Sequence, residues 1–203
     1  MLVDNNPLVP SRIAALIDGT GEDPTETLIR KARALEQAGM DALAMPCNTA
    51  HHYADRIQSS VGIPLLNMVE LVAKKIRRAF FRKPCVGFLA SPAVRIARIY
   101  DVALAAHGLT AVYPENDEPV LAAIKSIKAG HEKSKSLAPL QTAIRDLGAQ
   151  GADCIVVACT ELSLISDKLK SDAKMFDALD ILADEIVEYA CDLPTLRLLN
   201  VRR

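Results

Sequence analysis

Gly39-Met40-Asp41-Ala42-Leu43-Ala44-Met45-Pro46-Cys47-Asn48-Thr49 can be laid over Gly151-Ala152-Asp153-Cys154-Ile155-Val156-Val157-Ala158-Cys159-Thr160-Glu161, and Gly, Asp and Cys then recur at offsets of zero, two and eight. In each copy a helical pattern runs up to the glycine and a short apolar run follows. A cysteine then stands where the run gives way to another helical pattern. Such a run reads as a strand buried on both faces of a parallel sheet. The pair therefore points to a duplication built from strands and covering helices.

The flanking pattern extends this reading. Asp23 is a candidate N-cap, Pro24 suits the first position of a helix over 24–38, and Gly39 sits where a C-terminal glycine belongs. Helical composition returns over 49–60, 68–81, 93–107, 118–129, 134–149 and 177–191. Apolar runs at 41–45, 65–66, 85–90, 109–112 and 154–158 are the candidate strands. Strands separated by helices define an α/β fold with parallel sheets. A new block opens after Lys83-Pro84.

The 203 residues suit one large domain or two small ones. Lys+Arg number 24 against 25 Asp+Glu, a net charge of −1, which removes the main electrostatic drive for binding nucleic acid. Half the residues are hydrophobic, so the chain can bury a real core. No apolar run reaches the roughly 18–20 residues of a membrane helix. The start, Met1-Leu2-Val3-Asp4, lacks the basic and apolar regions of a signal peptide. Five cysteines are an odd number, and free thiols are the expectation. Together these features predict a soluble cytoplasmic protein with no nucleic-acid or membrane partner.

The cysteines that end the two repeats carry the chemistry. Loops at the carboxyl ends of parallel strands are where α/β proteins bind ligands. A thiol at a helix N-terminus there is expected to ionise more readily. Two such thiols facing each other across a cleft suit removal of a proton from one face of a carbon and return of another to the opposite face. Cys85, Cys154 and Cys191 read as core residues, and Lys74, Lys75, Arg77 and Arg78 as a solvated helix face. Cys47 and His51 are four apart, but no second pair with ligand spacing joins them, so no metal is expected.

The run Met45-Pro46-Cys47-Asn48-Thr49-Ala50-His51, with Ala158-Cys159-Thr160-Glu161-Leu162, resembles the aspartate/glutamate racemase superfamily, and most closely its aspartate racemase-like branch. The likeness extends from about Val3 to Tyr189 and includes Asn6-Pro7 through Arg12, Gly87–Ser91 and Ile127–Gly130. It implies two pseudo-symmetric parallel-sheet domains with the active site in the cleft between them. Residues 1–84 plus about 177–203 would form the first domain and 85–176 the second. It also implies cofactor-independent racemisation, commonly in a homodimer. On this resemblance Cys47 and Cys159 are the acid/base pair, while Asn48, Thr49 and Thr160 hydrogen-bond the substrate or its developing charge. Arg12 and Lys128 would pair with substrate carboxylates, Ser91 would touch substrate, and Glu161 would help locate the ammonium or cap a helix. His51 would orient Cys47 or pack on its helix.

Family members usually begin with a strand and a Gly-rich loop upstream of the segment that opens here, so that unit is expected to be absent. Two functions therefore stand side by side: an amino-acid racemase acting on aspartate or glutamate, and a catalytically impaired ligand-binding or assembly protein of the same fold. Isomerase or decarboxylase action on small dicarboxylates and a disulfide-forming redox role are further readings.

Overall fold

The computed structural model describes residues 1–200, with side-chain surroundings for all of these except 133 and 193–200. The two repeat glycines do the same work. Helices α1 (Thr25–Gln37) and α7 (Leu137–Ala149) end just before Gly39 and Gly151, which adopt φ of 83° and 85°. This left-handed conformation is open to glycine at little cost. In both copies it lets the next N–H reach back into the helix: Met40 N donates to Leu35 O and Ala152 N to Leu147 O. The chain is thereby turned into β1 (Leu43–Ala44) in one copy and β5 (Cys154–Ala158) in the other.

β1 pairs in parallel with β2 (Leu65–Leu66), with α2 (Ala54–Gln58) between them in sequence. The second sheet is also wholly parallel, in the order β4-β3-β5-β6, from β3 (Cys85–Ala90), β4 (Thr110–Val112), β5 and β6 (Lys174–Asp177). The remaining helices are α3 (Met68–Ala79), α4 (Pro92–Ile96), α5 (Asp101–Ala106), α6 (Glu118–Lys128), α8 (Thr160–Ser163) and α9 (Ala178–Asn200). The fold is α/β as expected, with two sheets.

Alternate residues of β3 and β5 face opposite layers. Phe88, Cys154 and Val156 pack with α3, α5 and α9, whereas Leu89, Ile155 and Val157 pack with α6, α7 and α8. A third cluster of Ala32, Leu43, Tyr53 and Ile57 lies by the two-stranded sheet. Helix α3 ties the parts together. Met68, Val72, Ala73 and Ile76 are fully buried in the core of the four-stranded sheet, although the helix directly follows β2. The expected division at residue 84 falls in the loop after this helix, and residues 201–203 of the expected first domain lie outside the described residues.

Several local expectations are corrected. The helix over 93–107 is two helices, because Arg98 turns left-handed at φ 52°. Asp23 acts one residue earlier than an N-cap: Pro24 holds that position, and the Asp23 carboxylate accepts from the Thr25 N–H and hydroxyl. Ala44 is exposed, so β1 is buried on one face only. Cys154 is a core thiol pushed up to about 12 by burial, whereas Cys191 is exposed on α9 and not a core residue. No helix among the described residues is long and apolar enough to cross a membrane.

Truncating a fully buried branched side chain removes transfer energy and leaves a cavity. Ile76→Ala is expected to lower stability by about 2–5 kcal/mol in urea unfolding; a loss within experimental error would mean that α3 does not bind the two sheets together.

Candidate active site

Strand order determines where a crevice opens. From β3 the chain crosses to β4 on one side and then returns to β5 on the other, so the carboxyl ends of β3 and β5 flank a topological switch point. Ala90 pairs with Ala158 in register, which sets the next residues, Ser91 and Cys159, side by side at that end. Ser91 is buried at the N-cap position of α4, without a side-chain capping hydrogen bond, and Pro92 suits the first helical position.

The other cysteine-bearing turn reaches the same place. Thr49 Oγ1 lies 3.5 Å from Ser91 Oγ, joining residues 42 positions apart. Asn48, beside it, is buried, and its Oδ1 accepts from the fully buried Tyr100 hydroxyl. Burial pushes the Tyr100 phenol far above its usual range, so it stays a donor. Asn48 Nδ2 is buried with no hydrogen-bond partner. An amide left this way costs about 1–3 kcal/mol, and a bound acceptor such as a carboxylate oxygen would satisfy it.

Cys47 is half-buried at the start of its turn. Its carbonyl accepts from His51 Nδ1 at 2.9 Å, while His51 Nε2 accepts from Met68 N at 3.0 Å. With one nitrogen donating and the other accepting, the imidazole is neutral. Burial favours that form by lowering its pKa. Of the two roles expected for His51, the geometry shows it holding the Cys47 turn.

Cys159 has a different environment. It is 9% exposed, and its Sγ donates to Glu161 Oε2 at 3.1 Å. Burial, then the charge of Glu161, then this hydrogen bond raise its pKa well above the ordinary thiol value, outweighing backbone donors at Leu162 and Glu161. This corrects the expectation of an easily ionised thiol. The helix that follows it has only four residues, too few for a substantial dipole, and a carboxylate stands at the sulfur. Thr160 Oγ1 lies 3.5 Å from the same Glu161 oxygen.

The two expected cations are placed differently. Arg12 is half-buried and donates to Pro10 O at 3.1 Å; the turn that follows it, Ala14–Asp18, packs on α4. Lys128 is exposed in the last turn of α6, where a helix C-terminus favours a cation, and α6 packs on α8. The contacts thus join Thr49 to Ser91, Asn48 to Tyr100, and Cys159 and Thr160 to Glu161, with Ser91 and Cys159 following paired residues of neighbouring strands. Tyr100, unremarked in the sequence, also belongs to this group, and no spacing or motif singles it out.

Removing the Glu161 charge lowers the barrier to forming a thiolate at Cys159. Glu161→Gln is therefore expected to speed iodoacetamide modification of Cys159 severalfold at neutral pH, measured by peptide mass spectrometry. An unchanged rate would mean that Glu161 does not control this thiol.

The chain is also similar to known proteins. The family model described as Asp/Glu/hydantoin racemase matches residues 1–186. The chain is 30% identical over 167 residues to the broad specificity amino-acid racemase RacX of Bacillus subtilis (strain 168), covering 82% of this chain and 72% of the relative. Among solved structures it is similar to Picrophilus torridus aspartate racemase, with a TM-score of 0.79 at 27% identity, over 92% of this chain and 77% of the other. An aspartate racemase homologue from Pyrococcus horikoshii OT3 gives 0.68 at 25% identity, over 83% and 74%.

Proposed function

Because the chain belongs to the Asp/Glu/hydantoin racemase family, we propose that it racemises a small amino acid, aspartate or glutamate, without a cofactor, through the thiols of Cys47 and Cys159. The observation that carries this reading is the contact of the Cys47 turn with the end of β3, Thr49 Oγ1 lying 3.5 Å from Ser91 Oγ, together with the register that pairs β3 with the strand ending at Cys159. RacX, a broad-specificity amino-acid racemase, and the aspartate racemase neighbour support the substrate class.

The mechanism gives the two thiols complementary roles. Cys47, as thiolate, takes the α-proton from one face, and the C–H electron pair moves into the adjacent carboxylate as an enolate-like dianion. Cys159, held protonated beside Glu161, delivers its proton to the opposite face. That turnover leaves Cys47 protonated and Cys159 as the thiolate; from this form Cys159 takes the α-proton of the other enantiomer while Cys47 delivers its proton to the opposite face, which returns both thiols to the starting form. Hydrogen-bonded to Cys159, Glu161 serves the thiol in preference to the substrate ammonium.

The dianion is stabilised by donors fixed in advance. Asn48 Nδ2 offers its unpaired N–H groups, Thr49, Ser91 and Thr160 offer hydroxyls, and Arg12 and Lys128 supply positive charge to the substrate carboxylates. The two-stranded sheet marks the first half and the four-stranded sheet the second, 85–176, with α3 and α9 packed into the core of the second. The protein works in the cytoplasm as a homodimer on a free amino acid.

L-Aspartate or L-glutamate incubated with the protein in deuterated water is expected to gain deuterium at Cα as the D-enantiomer appears. Cys47→Ala and Cys159→Ala are each expected to reduce this by at least about 10²-fold. Full activity in either variant overturns the two-thiol mechanism. Binding of the amino acid without any exchange in the unaltered protein establishes the ligand-binding alternative instead.

A further inference from the structure

The duplication continues past the cysteines to the side chains four positions on. His51 follows Cys47 by four positions, and Ser163 follows Cys159 by four. Each touches the carbonyl of its own cysteine: His51 Nδ1 at 2.9 Å from Cys47 O, and Ser163 Oγ at 3.3 Å from Cys159 O. Each also reaches the start of the helix that follows the next strand. His51 Nε2 accepts from Met68 N, the first residue of α3 after β2. Ser163 Oγ donates at 2.7 Å to Asp177 Oδ1, which ends β6 and also accepts from Leu179 N in the first turn of α9. The single hydroxyl proton of Ser163 serves either acceptor.

These anchor points are stiff. Asn67 Oδ1 accepts from Val69 N and Glu70 N, so α3 opens with its first three N–H groups satisfied by Asn67 and His51. The α3 residue that His51 grips is fully buried, and so is Ala178 beside Asp177. A cysteine turn fastened to such a point cannot slide along the cleft without breaking a hydrogen bond in the interior.

We propose that His51 in one half, and Ser163 with Asp177 in the other, are equivalent positioning residues that clamp the two cysteine turns to the helix starts behind them, each governing the reactivity of its own thiol. The inference rests on Cys47 and Cys159 being the reacting thiols. Neither clamp touches substrate. Both act through a main-chain carbonyl, which is why the two halves fulfil the role with unrelated side chains.

The test compares the unaltered full chain with His51→Ala, His51→Asn and Ser163→Ala. Two quantities are read: aspartate racemisation, and the iodoacetamide modification rates of Cys47 and Cys159, followed separately by peptide mass spectrometry. His51→Ala is expected to lower kcat about tenfold to a hundredfold with little change in KM, and to raise modification of Cys47 severalfold while leaving Cys159 unchanged. His51→Asn places an amide nitrogen where Nδ1 stood but nothing where Nε2 stood, so it keeps the Cys47 carbonyl contact without the helix anchor and is expected to fall between His51→Ala and the unaltered chain in both. Ser163→Ala is expected to show the mirror pattern, raising modification of Cys159 alone. Thiol rates that move together, or not at all, overturn the proposal, as does a His51→Asn variant no better than His51→Ala. Should His51→Ala fail to fold, His51→Asn and Ser163→Ala decide by the same criteria. The modification rates do not depend on turnover, so an inactive unaltered chain refutes the racemase reading while the thiol rates still judge the clamps.

Discussion

Parallel pairing of β3 with β5 governs the location of the site. A parallel strand can be reached only by a crossover, and here the crossovers lead first to β4 on one side and then to β5 on the other. The carboxyl ends of the two central strands are left with no connection spanning them, and the register places Ser91 next to Cys159 there. The Cys47 turn arrives by a different route. Helix α3 is buried against this same sheet, His51 is hydrogen-bonded to its first residue, and Cys47 is hydrogen-bonded to His51. Packing of one helix therefore brings the chemistry of the small sheet to the edge of the large one.

The two thiols come from equivalent places in a repeat yet occupy unlike surroundings. Cys159 is buried against a carboxylate, which opposes ionisation by removing water and by repulsion. Cys47 is half-buried, with a neutral imidazole behind its carbonyl. A duplicated backbone thus sets two cysteines in unlike surroundings, because the side chains two and four positions later differ. Pairs of titratable groups held in unlike environments are what proton transfer at neutral pH requires.

Much of this was legible in the sequence where the signal is local. The Gly-Asp-Cys repeat located both helix ends, both strands and both thiols, because a left-handed glycine, an apolar run and a strand-end residue are each determined within a few positions. The α/β class followed from the same alternation. What escaped was non-local. β6 carries Lys174 and Asp177 at its ends, so it lacks the apolar run that marks a buried strand, and it forms because β5 offers an edge. Tyr100 and Asp177 matter through partners 52 and 14 residues away. Ionisation at Cys159 was misjudged because the length of the following helix and the direction of the Glu161 side chain appear only in three dimensions.

A crystal structure of the protein with aspartate bound would decide whether the two thiols face one carbon. The expected result is one amino acid lying in the β3–β5 crevice with the sulfurs of Cys47 and Cys159 on opposite faces of its Cα, each at about 3–3.5 Å, and a carboxylate oxygen on Asn48 Nδ2. Aspartate bound elsewhere, or both sulfurs on the same face of the carbon, would contradict it.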